Sequence, residues 1–264
     1  MFCCGRTDIG RKREVNQDSF FCEYFDNGML LCVVCDGMGG AAGGGIASGL
    51  ACTSFVDSVA DFAENFTVSE TLTRTDERII RKILSEAVDF ANKKVFDKAS
   101  TDPSLTGMGT TLVATLVCGR TLFTVNVGDS KMYLIKDEEA VQITKDHSYV
   151  QYLVDMGKIT PEEARNSINK NIITRAVGTD TRVEADIFIT RLPEALRGAK
   201  EDHVCVLCSD GLSNHVSPDE IANAVKFACA VKSDRQLGPV AEFLIDMANE
   251  GGGNDNITAV IITV

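Results

Sequence analysis

Leu30-Leu31-Cys32-Val33-Val34-Cys35-Asp36-Gly37-Met38-Gly39-Gly40 is an apolar run that ends in one carboxylate and then in glycines. The portion Met29 to Cys35 is short, continuous and rich in Val and Cys, which predicts a buried strand. Asp36 falls at its end, where a charge is costly unless it is paired or bound to a metal. The glycines let backbone groups approach whatever Asp36 holds. Taken alone, Asp36 reads equally well as the cap of a helix starting near Ala41. Repetition separates the two readings. His203-Val204-Cys205-Val206-Leu207-Cys208-Ser209-Asp210-Gly211 is a second apolar run closed by Asp-Gly. Leu122-Phe123-Thr124-Val125-Asn126-Val127-Gly128-Asp129-Ser130 is a third. Three strands that each deliver an aspartate predict a carboxylate cluster.

Outward from that stretch, Asp26-Asn27-Gly28 predicts a hairpin that pairs a strand at Ser19 to Tyr24 with the Asp36 strand. Cys3 to Gly10 reads as a first strand and Arg11 to Asp18 as a polar loop. After Ala41 the period changes, with Ile46, Leu50, Ala51, Phe55, Val59 and Phe62 on one helical face. No Gly-Lys-Ser or Gly-Lys-Thr follows the glycines there, which disfavours a phosphate-binding loop. A second helix is predicted over Asp76 to Lys98. Strands follow at Thr110 to Cys118, Thr121 to Val127, Lys131 to Ile135 and Val141 to Thr144. A short helix is predicted from Asp146 to Met156. Thr160-Pro161-Glu162-Glu163 and Ser217-Pro218-Asp219-Glu220 are capping boxes that start helices. The stretch 146–181 reads as a helical flap outside the main core. Ala185 to Leu192, Val204 to Cys208 and Ile257 to Val264 read as strands, and Leu237 to Glu250 as the last helix. Strands paired in sequence with helix pairs between them predict an α+β layered fold, as a single domain over 1–264.

The 264 residues are 44% hydrophobic and 24% charged, the profile of a globular protein. A net charge of −12 argues against nucleic acid or an anionic membrane as partner. Neither a secretory signal nor a membrane-length apolar run is visible, so a cytoplasmic setting is expected. Ten cysteines are present, including the C-x-x-C pairs Cys32/Cys35 and Cys205/Cys208. One reading is a zinc site; the other is buried thiols acting as small hydrophobes. Both pairs lie in predicted strands, where residues three apart face opposite ways, so the second reading is favoured. A reducing compartment fits.

The acidic residues at element ends, with the one closing the early polar loop, are Asp18, Asp36, Asp129, Asp210 and Asp255. Oxygen-only ligands suit Mg²⁺ or Mn²⁺ rather than zinc, and none of the three histidines has ligand spacing to another. Paired cations held by carboxylates can activate water for attack on phosphorus. Arg13 reads either as a clamp for a phosphate dianion or as one member of a solvated basic run. Asp129 and Asp255 read alternatively as turn and loop formers.

The chain resembles the metal-dependent Ser/Thr protein phosphatases of type 2C, in their bacterial stand-alone form. The matching stretches are Arg13-Glu14-Val15-Asn16-Gln17-Asp18, Asp36-Gly37-Met38-Gly39-Gly40, Gly107-Met108-Gly109-Thr110-Thr111, Gly128-Asp129-Ser130, Asp146-His147-Ser148, Asn171-Ile172-Ile173-Thr174-Arg175, Ser209-Asp210-Gly211-Leu212 and Asp255-Asn256-Ile257-Thr258. They come in the family's order and run nearly end to end. The resemblance implies a four-layer α-β-β-α sandwich of two antiparallel sheets. It implies that Asp36 bridges two Mn²⁺ or Mg²⁺ ions, that the Gly37 carbonyl ligates one, and that Asp210 and Asp255 ligate the other. Asp18 holds metal-bound water in this scheme, Asp129 with Asp210 forms an optional third site, and Arg13 binds phosphate. Phosphoserine and phosphothreonine in proteins are the implied substrates, a Ser/Thr kinase the implied opposing partner, and a monomer the expected state.

Two departures matter. Gln17 stands where family members often have Glu, and is expected to keep a water-binding oxygen. Met38 stands where eukaryotic members carry a histidine proposed as general acid. His147 is read as structural. A catalytically impaired, phosphatase-like regulatory module is the alternative function; it would be expected to lack metal aspartates, and all five are present. A two-metal nuclease is disfavoured by the acidic charge.

Overall fold

The chain opens with three strands, β1 (Phe2–Asp8), β2 (Asp18–Tyr24) and β3 (Leu30–Met38), followed by the long helices α1 (Gly40–Ala63) and α2 (Arg74–Thr101). Next come β4 (Gly109–Thr110), β5 (Leu112–Cys118), β6 (Thr121–Val127), β7 (Lys131–Lys136) and β8 (Glu139–Gln142). Two short helices, α3 (Tyr149–Asp155) and α4 (Pro161–Arg165), precede β9 (Asp186–Arg191) and β10 (Val204–Cys208). The chain ends with α5 (Asp210–Ser213), α6 (Pro218–Val225), α7 (Asp234–Glu250) and β11 (Ile257–Thr263). This computed structural model describes residues 1–68, 72–136, 139–193, 203–231 and 233–264, and no side chain for Ala41, Ala42 or Cys229.

Two antiparallel sheets form, ordered β2-β3-β5-β6-β9, with β4 beside β3, and β1-β11-β10-β7-β8. Period-two alternation sorts β3 between two apolar layers. Leu31, Val33 and Cys35 pack under α1 and α2, while Leu30, Cys32 and Val34 face the other sheet. A third layer joins that other sheet to α5, α6 and α7. The result is the α-β-β-α sandwich expected. The same alternation splits each C-x-x-C pair: Cys32 and Cys205 lie between the sheets, whereas Cys35 and Cys208 lie under helices on opposite sides.

Several expectations shift. β3 does not stop at Cys35. It runs on through Asp36 to Met38, because β4 supplies partners for Gly37 and Met38. The buried stripe of α1 is Ala47, Ala51, Phe55, Val59 and Ala63, and Ile46 is exposed. The cause is the close approach of its glycine-rich first turns to β3: a Cβ on Gly37 would lie 2.1 Å from the Gly44 carbonyl oxygen. Ile79 of α2 is likewise exposed. The helix expected from Asp146 begins only at Tyr149, where the Ser148 hydroxyl caps it by accepting from Gln151 N. The strand expected at Val141 to Thr144 is Glu139–Gln142.

The flap boundary also moves. Val177 is fully buried under α1 and α2 and exchanges backbone hydrogen bonds with Thr110. Asn92 of α2, itself buried, accepts from Gly178 N (2.7 Å) and donates to Asp180 O (3.0 Å). The C-terminal part of 146–181 is therefore core-docked, and only the part carrying α3 and α4 stands off. Polarity misled here, because Asn92 satisfies backbone groups that composition assigned to solvent.

Candidate metal centre

Each aspartate is placed by a different element, and most are held through their backbone or one carboxylate oxygen. Asp18 begins β2 and lies opposite Asp36 in the β2–β3 ladder. Asp36 N donates to Thr111 Oγ1 (2.9 Å), and its carbonyl accepts from Thr111 N (2.9 Å) and Thr110 Oγ1 (2.8 Å). Asp129 follows Gly128 in the β6–β7 turn. Its carbonyl accepts from Lys131 Nζ (2.9 Å), which also pairs with Asp146 at 2.6 Å. Asp210 opens α5 as β10 ends, and its Oδ2 accepts from Asn214 (3.0 Å). Asp255 precedes β11, accepting from Asn256 N (2.9 Å) and from Arg13 Nη2 (2.7 Å).

Asp36, Gly37, Asp129, Asp210, Asp255 and Arg13 all line one open cavity of ≈ 640 Å³. Asp18 is buried beside it. Ser209 Oγ (2.8 Å) and Thr258 Oγ1 (2.6 Å) donate to its Oδ2, while its Oδ1 has no partner among the described residues. Asp210 Oδ1 is buried and unpartnered in the same way.

The electrostatics follow from that burial. Burial pushes Asp36 well above the ordinary carboxylate range, and the charges of Asp18, Asp210, Asp129 and Asp255 add to it. Asp18 is raised to about 7, chiefly by burial, against the pull of its two hydroxyl donors. Asp129 is raised to about 7 by burial and then by Asp210. Asp210 is raised by burial and then by Asp255. Carboxylates that repel one another, with one oxygen each of Asp18 and Asp210 left without a donor, match a hard divalent cation, which takes oxygen ligands only. No three of the described His, Cys, Asp and Glu side chains are already drawn together as a metal-binding group; the carboxylates ring a cavity. The donor set, the two orphaned oxygens and the mutual repulsion fit such ions.

Other residues carry the site without having been given a role. Asn256 is buried, donates to Ile9 O and Val15 O (both 3.0 Å) and accepts from Gln17 N (2.8 Å), so it pins the loop bearing Arg13. Ser209 and Thr258 orient Asp18, and Thr110 and Thr111 orient Asp36. All lie in the motifs quoted above, but small polar residues in or beside strands give no periodic signal that separates a positioning role from packing. Gln17 also lines the cavity; its amide nitrogen donates to Gly40 O (2.7 Å), at the start of α1, and its side-chain oxygen takes no part in that bond. Gly39 and Gly40 need that anchoring geometry, with φ of 119° and 73°. His147 is held by its neighbours on both ring nitrogens. Its Nδ1 accepts from Gly128 N (3.1 Å), its Nε2 meets Asp186 at 3.3 Å, and burial lowers its pKa.

Comparison with known proteins agrees with this geometry. The protein phosphatase 2C family profile matches residues 4–247. The serine/threonine protein phosphatase PstP of Mycobacterium tuberculosis is 40% identical over 181 residues, 69% of this chain and 32% of that protein. The chain thus spans about a third of that relative's length. The serine/threonine phosphatase stp of Listeria monocytogenes is 35% identical over 257 residues, covering 97% of this chain and 93% of the relative. Stp1 from Staphylococcus aureus superposes with a TM-score of 0.80 at 31% identity, covering 99% of this chain and 94% of that one. The catalytic domain of PstP in complex with two manganese ions superposes at 0.76 with 34% identity, covering 99% and 97%. The chain belongs to the protein phosphatase 2C family of serine/threonine protein phosphatases.

Proposed function

We propose that the chain hydrolyses phosphoserine and phosphothreonine in proteins, dependent on Mn²⁺ or Mg²⁺, with water as nucleophile and no phosphoenzyme. The observation that carries this reading is the ring of aspartates, buried or half-buried and mutually repelling, around a cavity that Arg13 also lines. Asp36, the Gly37 carbonyl, Asp210 and Asp255 would hold two ions, Asp18 would reach them through water, and Asp129 with Asp210 would offer a third position. The two manganese ions in the PstP catalytic domain support the pair. Such ions, when bound, polarise phosphoryl oxygens and lower the pKa of water.

The chain's own groups do the positioning. Thr110 and Thr111 fix the backbone of Asp36 where its carboxylate lines the cavity. Ser209 and Thr258 occupy one oxygen of Asp18 and leave the other free to accept. Arg13 is half-exposed on the cavity wall and spends one nitrogen on Asp255, so further donors of its planar fork remain for a phosphoryl dianion. Phosphorylated proteins, among them a Ser/Thr kinase, are the proposed partners of a monomeric, single-domain, cytoplasmic enzyme. No helix among the described residues is long and apolar enough to cross a membrane.

The test is phosphate release from a phosphothreonine peptide by EDTA-treated protein. Turnover is expected to be absent until Mn²⁺ is restored and then to saturate. Metal-independent turnover overturns the reading.

A further inference from the structure

Cys22, Cys3 and Cys32 meet at one margin of the layer between the two sheets. β1 and β2 run face to face there. The Tyr24 hydroxyl donates to Met1 O (3.0 Å), and Gly5 faces the Phe20 ring so closely that a Cβ on it would lie 2.3 Å from that ring. Cys3 and Cys22 occupy the rung between those two contacts. Cys32 approaches Cys22 from the other direction, as its opposite residue in the β2–β3 ladder. Both neighbours lie close enough to act on the Cys22 thiol. The two buried thiols favour ionisation of Cys22, and the Arg6 guanidinium adds to this, whereas Cys3 is raised by Cys22 and then by burial, and Cys32 chiefly by burial. Cys22 is half-buried; Cys3 and Cys32 are closed off. Cys35 and Cys52, which also touch, are both buried, so no oxidant reaches them from solvent.

We propose that Cys22 is a peroxide-sensitive thiol whose oxidation ends in a disulfide with Cys32 across the β2–β3 ladder. Directly opposed residues of an antiparallel pair have Cα atoms about 4.5–5.5 Å apart, inside the window of about 4.4–6.8 Å that a disulfide needs. Cys3 belongs to the other sheet, where no ladder register sets its backbone opposite Cys22, so Cys32 is the proposed resolving thiol. The Cys22 thiolate attacks one oxygen of a peroxide, the O–O bond breaks and hydroxide leaves. The Cys32 sulfur then attacks the sulfenic acid; the S–S bond forms, the S–O bond breaks, and water departs with the Cys32 proton. The site is remote from the proposed metal ligands and stands independently of the phosphatase reading.

The experiment is to treat the intact protein with hydrogen peroxide, alkylate it and map the peptides by mass spectrometry. Free thiols are expected to fall by two, with one Cys22–Cys32 disulfide that dithiothreitol reverses. Cys22→Ser should abolish the loss and Cys4→Ser should retain it. Cys32→Ser should leave Cys22 as a sulfenic acid that dimedone labels. An unchanged thiol count, a disulfide from Cys22 to Cys3, or peroxide sensitivity that survives Cys22→Ser overturns the proposal.

Discussion

Asp36 is the residue on which the proposed chemistry turns. It is half-buried and faces four other carboxylates, so its charge is costly unless cations sit beside it. Asp36→Asn and Asp210→Asn are each expected to lower Mn²⁺-dependent kcat by about 10³-fold or more, equivalent to about 4 kcal/mol or more. Calorimetry should show weakened Mn²⁺ binding in both. Arg13→Ala should mainly raise KM, because it removes a binding group, and an unchanged KM would sink that role. Asp18 gives a test that needs no turnover. Its folded-state pKa of about 7 lies above the ordinary 3.8, so the folded metal-free protein keeps a proton that the unfolded chain has released. That stabilisation is fully present below pH 3.8 and is lost as pH rises through 7. Metal-free Asp18→Asn should therefore gain stability over the wild type as pH rises from 5 to 8, by about 3 kcal/mol. Parallel denaturation curves for the two proteins across that range would contradict it.

At the scale of elements, the site depends on close backbone approach and on one pinned loop. Gly37 of β3 touches the first turns of α1, and its Cβ would meet backbone, which cannot swing away. Gly37→Ala should cost about 1–3 kcal/mol of stability, read from urea midpoints. Asn256→Ala leaves the part-buried carbonyls of Ile9 and Val15 and the N–H of Gln17 without their partner. It should cost about 2 kcal/mol or more and raise KM together with the loss. The strands that carry the aspartates were legible because continuous apolar runs ended in Asp-Gly or Gly-Asp. The inward face of α1 was not, because glycine and alanine, rather than Ile46, make its contact surface. The docked end of the flap was not legible either, since Asn92 and Val177 lie far apart in sequence and only their packing reveals the contact.

At the scale of the molecule, five aspartates from distant parts of the chain converge because two antiparallel sheets bring the relevant strand ends to one edge of the sandwich. Their ordered motifs made the site readable before the fold was known. Their supports, Ser209, Thr258 and Asn256, became readable only through hydrogen bonds. The fold thus stores carboxylate repulsion that divalent ions relieve, so Mn²⁺ should raise the thermal midpoint of wild type and leave Asp36→Asn nearly unmoved. The most direct measurement is an anomalous-scattering map from crystals soaked in Mn²⁺. The expected result is two peaks in the cavity, both bounded by Asp36, with Gly37 O, Asp210 and Asp255 as further ligands. A cavity without a peak, or manganese bound only elsewhere, would contradict the metal centre and the phosphatase mechanism built on it.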